Sequence, residues 1–164
     1  ALDFSVSDKA IKLYENHKVM SKVELEARHE IYLENYIMKV QIESRMMADK
    51  ASNMIIPTAT KYQSKLIENA KGLTDLGLDA TEIKATIEQV STHINNVRKL
   101  SYEMIEERKR INKIEDGRKK AFEYCDNVKG KYFDSLRYAV DKLELLVDDE
   151  DWPLPKYREL LFLR

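Results

Sequence analysis

Asp79-Ala80-Thr81-Glu82-Ile83-Lys84-Ala85-Thr86-Ile87-Glu88-Gln89-Val90-Ser91-Thr92-His93-Ile94-Asn95-Asn96-Val97-Arg98-Lys99-Leu100-Ser101-Tyr102-Glu103-Met104 is the stretch that sets the fold. Ile83, Ile87, Val90, Ile94, Val97 and Met104 alternate four and three residues apart, with Ser101 as the one small polar member. That spacing puts them on one seam of a helix, of the kind that packs against other helices in a coiled-coil manner. Asp79-Ala80-Thr81-Glu82 ahead of the seam reads as a cap followed by an acid able to return to it. The stripe fades near Ile111–Ile114, and Glu115-Asp116-Gly117 predicts the break.

Working outward, the segment upstream carries a matching signal. Ser21 and Glu24 have the spacing of a capping box, each able to satisfy the other's backbone N–H. Leu33, Tyr36, Ile37, Val40, Met47, Ala51, Met54 and Ile55 then recur at helical steps. Pro57 removes a donor and crowds the preceding turn, which predicts a kink near Asn53 rather than a stop. Tyr62, Leu66 and Ile67 carry the helix on to Gly72, read as its C-terminal cap. A short first helix is expected after Ser7, with Asn16-His17-Lys18-Val19-Met20 as its end and connector. Downstream, Ala121, Cys125, Val128, Tyr132, Leu136, Val140, Leu143 and Val147 form the face of a further helix. Gly130 inside it marks a possible bend, and Asp148-Asp149-Glu150-Asp151 its end.

Single apolar stripes on helices of roughly 30–50 residues, about 45–75 Å each, need one another. The expected fold is all-α: an elongated antiparallel bundle of about three long helices plus short terminal helices. Residues 1–151 make the bundle, and 152–164 a distinct apolar tail packing on the bundle or on a neighbour. Pro155 suits the first turn of a short closing helix there.

Composition narrows the function classes. The 164 residues fit one domain, and only 4 glycines and 3 prolines argue against a sandwich or barrel. With 28 basic and 29 acidic residues the net charge is −1, so no nucleic-acid or membrane partner is expected. Cys125 is the only cysteine, which excludes an internal disulfide and fits a reducing compartment. No apolar run has membrane-spanning length and no signal-peptide core precedes the first helix. A start at Ala1 rather than Met suggests a piece of something longer.

Candidate chemistry is sparse. Neither GxxxxGK[ST] nor GxGxxG occurs, so those phosphate cradles are excluded. Glu26-Ala27-Arg28-His29 has the Glu-x-x-His spacing of di-iron bundles, but no second such motif faces it, and His29 reads as a partly exposed flanking residue. Cys125 falls on the expected apolar face, where a thiol is an inert small hydrophobe. Arg108, Lys109, Arg110, Lys113, Arg118, Lys119 and Lys120 are balanced by Glu106, Glu107, Glu115 and Asp116 and read as a solvated face. Met46, Met47 and Met54 read as core filler. By these readings the chain itself has no catalytic, cofactor-binding or metal residue.

Two stretches carry a family resemblance: Glu24-Leu25-Glu26-Ala27-Arg28, continuing through Leu33-Glu34-Asn35-Tyr36 to Gln41-Ile42-Glu43-Ser44-Arg45, and Val147-Asp148-Asp149-Glu150-Asp151-Trp152-Pro153-Leu154-Pro155-Lys156-Tyr157-Arg158-Glu159-Leu160-Leu161-Phe162. With Tyr62-Gln63, Leu66-Ile67-Glu68-Asn69 and Tyr124-Cys125-Asp126 between them, the chain resembles the C-terminal helical region of type III glutamine synthetases. The resemblance implies a cytoplasmic parent that ligates ammonia to glutamate with ATP and a divalent metal, Mg or Mn. It also implies an upstream catalytic domain and assembly into homo-oligomeric rings, with this region non-catalytic and structural. The alternative is a free-standing helical interaction module, a coiled-coil adaptor. In either case Trp152, Leu154, Tyr157, Leu160, Leu161 and Phe162 form the candidate contact surface, since so apolar a tail needs cover.

Overall fold

The computed structural model describes residues 2–162; the side chains of Leu2 and Tyr157 lie outside the described set. A 3-10 turn at Leu2–Val6 is followed by α1 (Asp8–Asn16), α2 (Lys22–Lys50), a π-helical segment (Ala51–Ile55) and α3 (Ile56–Asp75). After a tight loop come α4 (Thr81–Asn112), α5 (Gly117–Glu123), a second π-helical segment (Tyr124–Phe133), α6 (Asp134–Leu146) and the short α7 (Tyr157–Leu160). No strand occurs among the described residues. The architecture is an all-α antiparallel bundle of three long rods: Lys22 to Asp75, Thr81 to Asn112, and Gly117 to Leu146. The central rod α4 packs against α3 on one side and α6 on the other, while α2 lies on α4, α5 and the second π segment.

Local signals start the helices. Ser7 accepts from the Ala10 N–H at 3.3 Å. Ser21 accepts from the Glu24 N–H, and Glu24 accepts in return from the Ser21 N–H at 2.7 Å, a complete capping box. At α4 the cap differs from expectation. Asp79 accepts from the backbone and hydroxyl of Thr81 at 3.0 and 2.7 Å, with no return from Glu82, and Ala80 is the capping residue.

Two sequence readings are corrected, and the irregularity expected near Asn53 takes a specific form. The first rod does not end at Gly72: it runs to Asp75, and Gly77 at φ +70° closes it. Leu78 N–H donates to Leu73 O at 2.9 Å and Gly77 N–H to Thr74 O at 3.0 Å, the paired bonds of a Schellman motif, which needs its left-handed residue two places beyond Asp75. At the strain expected near Asn53 the ladder widens into π turns over Ala51–Ile55 and the rod stays continuous. Pro57 has no N–H to return to the Asn53 carbonyl, and one wider turn absorbs the mismatch. The apolar stripe of α4 persists through Ile111, which is fully buried.

The third rod shows the largest shift. Most of its expected face is buried, Ala121, Val128, Tyr132, Leu136, Leu143 and Val147 included, but Tyr124 rather than Cys125 enters the core, and Ala139 is buried more deeply than Val140. Cys125 is exposed. Tyr124 donates its hydroxyl to Asn112 Oδ1 at 2.6 Å, and Gln41 Nε2 donates to the same oxygen at 2.8 Å, so one amide ties the three rods together. The core itself is Leu33, Ile37, Val40, Ile55, Val90, Ile94, Val97, Met104, Ile111, Tyr124, Val128, Leu136, Leu143 and smaller neighbours.

Candidate functional site

Several of the chemistry-bearing residues make structural contacts. His29 is buried, not partly exposed, because the 3-10 turn covers it: Nε2 lies 3.2 Å from Asp3 Oδ1, and Asp3 Oδ2 accepts from Arg118 at 3.0 Å. The Arg118 bond, with His29 adding, holds the Asp3 carboxyl below its ordinary range. Of the basic stretch, Lys109 pairs with Glu106 at 2.6 Å, Arg110 bonds both Glu107 and Glu123, and Arg118 takes Asp3. Among the described residues no group of three His, Cys, Asp or Glu side chains is placed to hold a metal ion, and no helix is long and apolar enough to cross a membrane.

A groove of about 670 Å³ lies where several elements meet. Met47, Ala51 and Ile55 line one wall, and Phe133, Leu136 and Val140 the other. Both π segments border it, the first through Ala51 and Ile55 and the second through Phe133. Such turns re-aim side chains and often mark functional places. The tail closes one end: Trp152 is buried in the main core, Leu154 packs against that core, and Pro155 and Leu160 complete the lining. Asp134, Asp141 and Glu144 stand along the α6 side with Arg137, and Lys50 faces them. Partial burial, reinforced by the Asp141 charge, pushes the Glu144 carboxyl above its ordinary range.

The acidic run that ends α6 also fastens the tail. Lys156 donates to the Val147 carbonyl at 2.8 Å and pairs with Asp149 at 2.6 Å, and Arg158 pairs with Asp149 as well. On the other side Asp151 takes Lys65 of α3 at 2.5 Å, with Lys61 at 3.9 Å. Lys156 caps α7, whose Glu159 carboxylate accepts from the Lys156 N–H at 3.2 Å; Pro155 therefore lies before the cap, not in the first turn.

The six residues singled out from sequence part company here. Trp152 and Leu154 go inward, while Leu160, Leu161 and Phe162 are 56%, 79% and 78% exposed; the Tyr157 side chain lies outside the described residues. Phe133 escaped the sequence reading, since no periodic partner marked it. Met47, Ala51, Ile55, Leu136 and Val140 were legible as apolar-stripe residues, but not as the walls of a groove.

The fold is an elongated all-α helical bundle with a clamped tail. Residues 1–74 match the family model described as the glutamine synthetase C-terminal domain. A glutamine synthetase of Bacteroides fragilis is 40% identical over 153 residues, 90% of this chain but 21% of that protein. A type-3 glutamine synthetase of Dictyostelium discoideum is 28% identical over 96% of this chain and 22% of its own length. A glutamine synthetase of Butyrivibrio fibrisolvens is 27% identical over 98% of this chain and 23% of its own. The chain thus belongs to the glutamine synthetase family as the C-terminal helical region of a type III form, and it spans about a fifth of the length of these curated relatives.

Proposed function

We propose that this chain is a non-catalytic structural and assembly region, and that its longer parent ligates ammonia to glutamate with ATP in the cytoplasm. In this reading the parent's catalytic domain precedes the helical region, works with Mg or Mn, and assembles into homo-oligomeric rings. The observation that carries it is the match of 90% of this chain to only 21% of the Bacteroides fragilis relative, which leaves most of that protein to other domains. Residues 1–151 act as the bundle and 152–164 as a contact segment, anchored through Trp152 and Leu154 and presenting Leu160, Leu161 and Phe162.

The residues present do not fit Mg-ATP. The sequence has no GxxxxGK[ST] or GxGxxG loop, and among the described residues no three His, Cys, Asp or Glu side chains are placed to hold a metal ion. No step of the ligation is therefore assigned to them. Calorimetric titration of the chain with Mg-ATP and with glutamate is expected to give no saturable heat, and saturable binding would overturn the non-catalytic reading. Removing residues 152–164 from the longer enzyme is expected to abolish ring assembly. An unchanged assembled mass would remove the assembly role.

A further inference from the structure

We propose that the groove between the first π segment and α6 is a socket for Leu161 and Phe162 of a second copy of this chain, the two copies docking reciprocally. The inference deepens the reading of the tail as a contact segment and rests on it. Three observations carry it: an anchored plug, a socket beside it, and opposite charge on the two.

The plug is held off its own groove. Lys156 and Arg158 are fastened to Asp149 and the Val147 carbonyl, so α7 cannot slide along the bundle. Leu160 reaches the groove's lip, but Leu161 and Phe162 are carried past it on the final turn, where their N–H groups donate to Arg158 O and Glu159 O at 3.3 Å each. They stand 79% and 78% exposed while an apolar-walled groove of about 670 Å³ lies open next to them. Large apolar side chains left in water beside unfilled apolar walls both favour cover.

Charge agrees with the pairing. The groove lining carries Asp134, Asp141 and Glu144 against Lys50 and Arg137. The segment 156–164 carries Lys156, Arg158 and Arg164 against Glu159. The groove's one-charge acidic excess against the segment's surplus of basic residues steers the tail of another copy toward it only modestly, because Lys156 and Arg158 already pair with Asp149. Because plug and socket sit on one patch of each chain, a two-fold arrangement satisfies both at once and closes the assembly. Burying the exposed faces of Leu160, Leu161 and Phe162 and the matching walls, twice, removes roughly 1,400 Å² from water, inside the range of about 1,200–2,000 Å² for stable pairs.

The test is solution mass by light scattering on the 164-residue chain at micromolar concentrations, with a trapping experiment alongside. The chain is expected to run as a two-copy species. The double variant Leu161→Asp/Phe162→Asp is expected to weaken pairing at least about 100-fold with its melt unchanged, since both residues are exposed. In a Cys125→Ser background, chains carrying Phe162→Cys mixed with chains carrying Val140→Cys should form an interchain disulfide on mild oxidation. A wild-type monomer at every concentration, or a dimer that survives the double variant, overturns the proposal. So does a chain carrying both cysteines that closes only within itself. If the chain is monomeric yet loss of 152–164 still abolishes assembly of the longer enzyme, this socket is wrong and the contact role of the tail stands. If pairing occurs while assembly of the longer enzyme is untouched, the reverse holds.

Discussion

Trp152→Ala is the perturbation that best separates a tail integral to the core from one resting on it. Trp152 is the only tryptophan, 7% exposed, and continuous with the main core through contacts that also involve Leu154. Truncating a buried tryptophan removes its transfer energy and leaves a cavity, together about 3–5 kcal/mol. For a chain of this size each kcal/mol moves the midpoint by about 2–4 °C, so the melt should fall by roughly 10–15 °C. The indole adds a second arm to the test. Its Nε1–H is buried with no hydrogen-bond acceptor, and an orphaned donor costs about 1–3 kcal/mol. Trp152→Phe removes the orphan while keeping most of the ring, so it should stay within about 1 kcal/mol of the parent. The assay is circular dichroism at the helical minimum during heating, with Trp152 fluorescence of the parent as a check that tail and bundle melt together. A Trp152→Ala midpoint within about 2 °C of the parent would refute the reasoning, as would fluorescence changing well before helicity. Equal damage from Phe and Ala would mean the N–H has a partner.

Two glycines should respond in opposite directions. Gly77→Ala forces a side chain into the left-handed region and should cost about 1–2 kcal/mol in urea melts, whereas Gly72→Ala sits in open space within a helix and should gain about 0.5–1 kcal/mol. Ser21→Ala breaks a complete capping box and should cost about 0.5–2 kcal/mol, read as a lower midpoint. The Asp3 carboxyl titrates below its ordinary range, so its stabilisation is present above about pH 4 and is lost as pH falls through the lowered folded value. The gap in melting temperature between the parent and Asp3→Asn should therefore be open near neutrality and close in strong acid; a gap that widens on acidification contradicts the Asp3–Arg118 clasp.

What could be read from sequence was local. Ser7 and Ser21 announce their helices because a cap and its partner lie three residues apart, and the α4 seam follows from spacing alone. Errors arose where a distant contact decides. His29 is buried by Asp3, which arrives from another element, and nothing in Glu26-Ala27-Arg28-His29 signals it. From Ala121 a step of three reaches Tyr124 and a step of four reaches Cys125, both on one helical face, and the contact of Tyr124 with Asn112 on another rod decides between them. Burial, with the Cys125 side chain beside it, pushes the Tyr36 phenol above its ordinary range, so the exposed thiol still lies beside another rod. Gly72 and Gly77 both look like stops, and only the backbone decides between them. The groove was half legible, as apolar positions without the third dimension that sets them facing each other.

The first rod has a mechanical consequence. Lys22 to Asp75 is one uninterrupted helix, about 80 Å long, with its only irregular turns at Ala51–Ile55. Those five residues are the soft point of a stiff beam, and two of them, Ala51 and Ile55, line the groove. The 20 residues of α3 beyond them make a lever arm of about 30 Å that carries the exposed Leu76 and Leu78 at its far end. A change of about 10° at the fulcrum would sweep that tip through roughly 5 Å. Whatever fills or empties the groove therefore bears on the soft point of this beam, and its effect would be carried along α3 to Leu76 and Leu78.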